Sequence, residues 1–267
     1  AEKKVTTISK ERFVPNQDLL DICEEDVLMS LYDVEDSERR LYEFEESLEA
    51  IGENLRAVDM TTSCGVPYNK FSKGKKEFLI DDGPKKDYLL QQIHDTERSY
   101  LNNEVPEIWV TDNLKDELRP IEKSLQGKTR IFHTLPLHIG IMYRMYMGAF
   151  VSMMQSNSGQ SECAIGINPD SPDWTALYAR LTRFGDERIV AGDFSGYDSS
   201  LPNWAVESYI RIVNEWYNDD SDNQLIRANL IRATMTRMHI VNGVCHYRGY
   251  GNCSGVADTA PRNCIIL

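Results

Sequence analysis

This chain lacks any run of about 18 or more uncharged apolar residues, the length a helix needs to cross a bilayer. Its most apolar stretch, Ile139–Met154, carries Arg144 in its middle and reads as a buried helix. The start, AEKKVTTISKERF, has no apolar core and no initiator Met. It is not a secretory signal, and it suggests a chain cut from something longer. Cysteine is sparse: six residues (Cys23, Cys64, Cys163, Cys245, Cys253, Cys264) with no C-x-x-C pair. That predicts free thiols in a reducing compartment. A zinc site from Cys245, His246 and Cys253 lacks the usual ligand spacing. A phosphate-binding G-x4-G-K-[ST] loop is missing too, because Glu122 stands where the first glycine before Gly127-Lys128-Thr129 must be. There is no internal repeat and no low-complexity tract.

Positive charge is also short. The chain has 29 Lys and Arg against 42 Asp and Glu, a net −13. The deficit is uneven. Residues 1–60 hold 17 acids and 7 bases, a net −10, which leaves −3 for the rest. A basic total is therefore absent, but a nucleic-acid channel needs only local positive charge. A hydrophobic share of 41 % over 267 residues excludes wholesale disorder and suffices for one or two domains.

The patterning predicts a mixed α+β chain. Residues 18–56 read as acidic amphipathic helix, with Leu19, Leu20, Ile22, Val27, Leu28 and Leu31 on one face. The charge run Glu43–Glu49 reads as a solvated helix face. Pro84 can open a helix to about Asn102. Glu107–Lys115 and Thr129–His133 read as strands, and Pro136–Met154 as a Met-rich core helix. Ser171-Pro172 caps a helix that stops by Gly185. Arg188–Asp193 reads as a buried strand. Pro202–Asn218 and Asp222–Arg237 read as helices, with Trp204, Tyr209, Val213 and Trp216 on one stripe. Asn242-Gly243 between apolar residues signals a hairpin over His239–Tyr247.

Four segments carry candidate chemistry. In Lys115–Arg130, KDELRPIEKSLQGKTR, five cations (Lys115, Arg119, Lys123, Lys128, Arg130) fall within sixteen residues. They could hold a triphosphate by charge-assisted hydrogen bonds, although a lone run of this kind is by default a solvated loop. In Val190–Leu201, VAGDFSGYDSSL, a strand would deliver Asp193 as an oxygen ligand for Mg²⁺. Asp198 follows five positions later, beyond a turn at Gly196. In Gly251–Asn263, GNCSGVADTAPRN, a Ser254-Gly255 turn leads to a helix with Thr259 and Asn263 on one face. Such a face could hydrogen-bond sugar hydroxyls or merely cap the helix. In Thr62–Pro67, TSCGVP, a tight turn could contact a phosphate through its backbone.

Taken in order, KDELR…K…GKTR, D-x4-D and SG-x3-T-x3-N resemble motifs F, A and B of the RNA-dependent RNA polymerases of picornavirus-like positive-strand RNA viruses (order Picornavirales). TSCGVP resembles their motif G. Cys163–Trp174, CAIGINPDSPDW, resembles the linker entering the palm, in a form closer to insect or marine picorna-like viruses than to enteroviruses. The resemblance runs from about Thr62 to Leu267 and implies a right-hand α+β architecture of fingers plus a portion of the palm. On that basis residues 1–147 would be fingers, with residues 1–60 as their acidic N-terminal region. Residues 148–231 would be the first portion of the palm with motif A, 232–251 a fingers-insertion hairpin, and 252–267 palm with the start of motif B.

The resemblance implies template-directed nucleotidyl transfer from rNTPs with two Mg²⁺, or Mn²⁺ in their place. Asp193 would be catalytic as a metal ligand. Asp198, Asn263 and Ser254 would sense the ribose 2′-OH, supported by Thr259. Lys115, Arg119, Lys123 and Lys128 would line the rNTP tunnel, and Arg130 would contact the triphosphate and stack on the base. Thr62, Ser63 and Gly65 would guide the template, and Gly255 would let the motif B loop move. Template and primer RNA and other viral replication proteins would be the partners. The place would be the host cytoplasm, in membrane-associated replication complexes.

Two departures stand out. Cys253 replaces the proline that many relatives have before Ser-Gly. The Gly-Asp-Asp turn of motif C has no counterpart, since the only aspartates after Asp198 are Asp219, Asp220, Asp222 and Asp258. A fragment of a polyprotein-borne polymerase, inactive by itself, is therefore expected. A non-catalytic RNA-binding remnant is the alternative, and a reverse-transcriptase or DNA-polymerase palm a further one, against which the carboxylate of Asp198 argues.

Overall fold

The computed structural model describes residues 15–32, 38–52, 55–157, 163–249 and 251–267. The N-terminal stretch AEKKVTTISKERF lies outside the described residues. Among those described, no helix is long and apolar enough to cross a membrane.

The centre of the molecule is a 20-residue helix, α6 (Leu137–Ser156); the helices that precede it in the chain are placed below. It is apolar on every side, as a helix buried on every side must be. Met142, Tyr143, Met147, Phe150 and Val151 are 0–1 % exposed. The charge in its middle has a use: Arg144 donates to the backbone carbonyls of Ser47 and, at 2.6 Å, Glu49. Those are orphan carbonyls at the end of α2 (Phe44–Leu48), so the guanidinium closes a helix terminus.

Against α6 pack α2, α4 (Pro84–Leu101) and α9 (Ser221–Met235), and α8 (Asn203–Tyr217) meets it at Phe150, while α3 (Lys76–Leu79) packs on α4. Their local signals match their bounds. Pro84 stands at the first turn of α4. The Asp220 carboxylate accepts the Asp222 and Asn223 N–H groups that open α9. Asn218 ends α8 in the left-handed region at φ 49°. Tyr209, Val213 and Trp216 are fully buried, and Phe150 meets Trp216 edge to face at 5.3 Å.

Four strands form one sheet in the order β2-β1-β3-β4. They are β1 (Ile108–Leu114), β2 (Ile131–Thr134), β3 (Arg237–Val241) and β4 (Val244–Arg248). β1 runs antiparallel to β2 and parallel to β3, with Asp112 opposite His133 and Val110 beside His239. The β3–β4 turn is Asn242-Gly243, at φ 50° and 78°. Both residues take the positive φ that a two-residue hairpin of matching twist needs. A short helix, α5 (Ile121–Leu125), bridges β1 and β2. The remaining helices are α1 (Gln17–Tyr32), α7 (Pro172–Leu181) and α10 (Thr259–Ile266). Ser171 caps α7 by accepting the Asp173 N–H at 3.2 Å.

Two expectations fail. Residues 18–56 are not one helix: α1 ends at Tyr32 and α2 spans only Phe44–Leu48, while 33–37 and 53–54 lie outside the described residues. The predicted face is also only partly used, since Leu31 is buried but Leu19 and Ile22 are exposed. Alternation of acids and leucines cannot say where a helix finds a partner. Arg188–Asp193 is not a buried strand. Asp186–Arg188 is a single 3-10 turn, and 189–194 is exposed and has no regular secondary structure, with Val190 96 % accessible. A strand needs a ladder partner for its N–H and C=O groups, and no strand among the described residues pairs with this segment.

Candidate active site

Three separated segments meet at one cleft of about 750 Å³. Arg119 and Arg130 come from the β1–β2 connection, Asp193 and Asp198 from the loop after α7, and Ser254 and Asn263 from the last turn and α10. The wall is the open face of the sheet, with Asp112, His133, His239, His246 and Arg248.

Asp198 is held from two directions. Its backbone carbonyl accepts the Asn252 N–H at 2.6 Å, and its carboxylate accepts the Asn263 side-chain N–H at 2.9 Å. The left-handed Gly196 (φ 70°) makes the turn between Asp193 and Asp198, as expected from the sequence. Gly251 permits the approach, because a Cβ there would lie 2.8 Å from the Asp198 carbonyl oxygen.

Behind Asn263 stands a buried chain of polar groups. Asn252 donates to the Asn263 side-chain oxygen at 2.9 Å, which leaves the Asn263 amide N–H to face Asp198. Asn252 is itself held by Arg262 at 3.1 Å. Arg262 and Asp258 are both 0 % exposed and form a bidentate pair at 2.7–2.9 Å. Tyr209 donates to Asp258 at 3.0 Å, and Arg262 donates to the Tyr143 hydroxyl at 3.1 Å. Burial alone would lower the Arg262 pKa, yet Asp258 and the two tyrosines hold it above its ordinary value. Burial raises the Tyr209 hydroxyl far above the usual phenol range. A buried ion pair needs this full set of partners to persist.

Ser254 is coupled to the sheet. Its hydroxyl lies 3.2 Å from His133 Nδ1, and its carbonyl accepts the His133 N–H at 3.2 Å. Gly255 is sterically required here: a Cβ would lie 2.0 Å from the His133 carbonyl oxygen. Thr259 faces inward, donating to the Cys253 and Val256 carbonyls at 2.9 Å. It caps the turn and does not line the cleft.

The cations divide. Arg119 and Arg130 line the cleft and share Glu117, at 2.9 and 3.4 Å. Arg119 also donates to the Lys128 carbonyl. Lys115, Lys123 and Lys128 are exposed and line none of the described cavities. Thr62, Ser63 and Gly255 line a second cavity of about 610 Å³, with Lys75, Arg144 and His133. Gly65 lies beneath it at φ 68°, where a Cβ would meet the Leu135 carbonyl oxygen at 2.0 Å. His133 thus borders both cavities.

For a metal, Asp193 offers an exposed carboxylate at the cleft, an oxygen donor suited to Mg²⁺. One oxygen of Asp198 is already engaged by Asn263. The described residues also contain Asp112, His133 and His239, whose donor atoms lie within 4.8 Å of one another. Sequence reading missed this trio, and it missed Asn252 and Arg262. Only the D-x3-R spacing Asp258–Arg262, one helical turn, hinted at the last. Cys245 is exposed and Cys253 buried, and neither joins a metal-capable group among the described residues.

Comparison with known proteins is consistent in direction. A family profile described as viral RNA-dependent RNA polymerase matches residues 27–266. The chain is 34 % identical over 80 % of its length to the replicase polyprotein of Acute bee paralysis virus (strain Rothamsted). It is 30 % identical over 94 % of its length to the RNA1 polyprotein of Tomato black ring virus (strain MJ), and 31 % over 86 % to the genome polyprotein of Avian encephalomyelitis virus (strain L2Z). It spans 10–12 % of the length of these three. The fold is similar to Sicinivirus 3Dpol RNA dependent RNA polymerase at TM-score 0.74 and 20 % identity, covering 98 % of this chain and 55 % of that one.

Proposed function

The chain belongs to the viral RNA-dependent RNA polymerase family, and from that premise we propose that it is the fingers and first palm portion of an enzyme copying viral RNA from rNTPs. The observation that supports this reading is the convergence of residues 119–130, 193–198 and 254–263 on one cleft, joined by the Asn263–Asp198 hydrogen bond.

In this reading Asp193 would hold Mg²⁺. Bound Mg²⁺ would stabilise charge on the attacking and leaving oxygens of phosphoryl transfer. Arg119 and Arg130 exchange Glu117 for the triphosphate. They bring two cations to the cleft, where charge-assisted contacts with phosphate are strong. Asp198, oriented by Asn263, accepts from the ribose 2′-OH and so favours an RNA precursor. Thr62, Ser63 and Lys75 face the template strand in the second cavity. Lys115, Lys123 and Lys128 act as a peripheral positive field, not as ligands.

Among the described residues, the only carboxylates lining the cleft are Asp112, Asp193 and Asp198. Two metal ions need more oxygen ligands than Asp193 and Asp198 offer. The 267-residue chain alone is therefore inactive, and partner carboxylates come from a longer chain. The exposed apolar groups beside Asp193 (Ile189, Val190, Phe194) fit the same reading, as a strand whose partner lies elsewhere. We further propose that it works alongside other replication proteins, at membrane-associated sites in the host cytoplasm; the polyprotein nature of the relatives supports the first half of that reading.

The test is single-nucleotide incorporation on a primed RNA template by the longer polymerase containing this chain. Asp193→Asn should reduce incorporation by orders of magnitude while leaving the circular dichroism unchanged. Undiminished incorporation by that variant would overturn the role of Asp193, and activity of the 267-residue chain alone would overturn its predicted inactivity. Template RNA bound without incorporation by the longer chain would instead favour an RNA-binding remnant.

A further inference from the structure

Asp112, His133 and His239 form a cluster that the polymerase reading does not use. Each comes from a different strand. Asp112 and His133 oppose each other across the β1–β2 ladder, and His239 lies beside Val110, two residues from Asp112 and so on the same face. His239 Nδ1 lies 2.7 Å from Asp112 Oδ1, and His133 Nε2 lies 3.6 Å from the same oxygen. The three side chains are only 4–11 % exposed, yet all border the cleft.

We propose that Asp112, His133 and His239 are a transition-metal site, selective for Zn²⁺ over Mg²⁺, with its remaining position open to the cleft. Two imidazoles and one carboxylate are the donor set of an open zinc site, in which water completes the coordination. Imidazole nitrogen also discriminates against Mg²⁺, which prefers oxygen. The outer partners are in place. His133 Nδ1 faces the Ser254 hydroxyl, which leaves Nε2 directed to Asp112, the arrangement that orients a ligating histidine. His239 Nε2 is buried and without a hydrogen-bond partner. A network built only for stability avoids such an orphan nitrogen.

Charge opposes every cation here, so donor type sets the selectivity. Arg237 and Arg248 both act on His133 and oppose a cation. Arg237 is occupied by the carbonyls of Thr234, Met235, Gly251 and Asn252, so it does not compete for Asp112 as a ligand would. Against that field only an ion with strong affinity for nitrogen binds. Bound there, it ties β1, β2 and β3 together. Through His133 it also restrains the Ser254-Gly255 turn.

The site stands on the geometry of the sheet and does not depend on polymerase activity. The test is titration of the folded 267-residue chain with Co²⁺ as a spectroscopic probe. One equivalent should give visible d–d bands without a sulfur-to-cobalt charge-transfer band. Zn²⁺ should displace it and excess Mg²⁺ should not. His239→Gln and Asp112→Asn should each weaken binding by more than the roughly 10–100-fold cost of losing an outer partner. Asp193→Asn should leave it unchanged, which separates this site from the proposed catalytic one. If either ligand variant fails to fold, X-ray absorption of the wild-type Co²⁺ form decides, with two imidazoles in the first coordination sphere expected. Absence of d–d bands in the folded chain, thiolate ligation, or full binding by a folded His239→Gln variant would overturn the site.

Discussion

The two sides of the cleft are built differently. On one side, Asn263 is backed by Asn252, Arg262, Asp258, Tyr143 and Tyr209, a chain of buried groups each satisfied by the next. On the other, Asp193 ends an exposed segment in which Ile189, Val190 and Phe194 are 46–96 % accessible. The first side is complete within this chain, because its polar groups are paired and its helix α10 packs on α8 and α6. The second side has the composition of a strand and, among the described residues, nothing to pair with. A functional side chain can thus be preorganised by local burial, or its position can depend on a neighbour.

The largest effect should come from breaking the complete side. Arg262→Leu leaves Asp258 buried without its partner and should cost about 3–5 kcal/mol of stability, read by urea denaturation of this chain. A loss below about 1 kcal/mol would show that the network is not what holds that wall. Next, Asn252→Ala removes the link between Arg262 and Asn263 and should cost about 1–3 kcal/mol. In the longer polymerase it should also reduce the preference for rNTP over dNTP, measured by paired incorporation rates, because Asn263 is then free to turn away from Asp198. An unchanged preference would separate the network from sugar recognition.

Acid should act outside that network, through His133 of β2 and His138 of α6. Burial pushes His133 down to about 3 and His138 to about 4, the latter beside the Tyr68 hydroxyl at 2.7 Å. Both stay neutral when folded, while the unfolded chain takes up protons near pH ~6.5. Their contribution is whole above about pH 6.5 and is lost as pH falls toward about 3–4, at about 1.4 kcal/mol per pH unit for each histidine. His138→Gln should flatten that slope by roughly half in a denaturation series. The smallest effect belongs to the incomplete side. Val190→Thr should change the stability of this chain by no more than about 0.5 kcal/mol. In the longer polymerase, where a partner strand would bury it, the cost should exceed about 1 kcal/mol, because the Thr hydroxyl is then buried without a partner. Equal effects in both would mean that the segment never becomes a strand.

Much of this was legible in the residues. Proline fixes its own φ, and glycine and asparagine accept the positive φ that turns need. Pro84 therefore marks the start of α4, Gly196 the turn between the two aspartates, and Asn242-Gly243 the hairpin. The Met-rich, mostly apolar composition of α6 marked it as core. The ordered motifs also pointed to the family and the α+β class. All of these depend on residues close in sequence. What the tertiary structure decided depends on residues far apart: which of five cations reach the cleft, why Gly255 has no side chain, and whether 188–193 finds a ladder. Asp112, His133 and His239 are separated by 21 and 106 positions and carry no spacing signature. Only the pairing of β1 with β2 and β3 brings their donor atoms within 4.8 Å. Local chemistry sets turns and caps because the chain's own backbone is the partner. Strand pairing, buried ion pairs and metal ligation need partners that folding alone supplies.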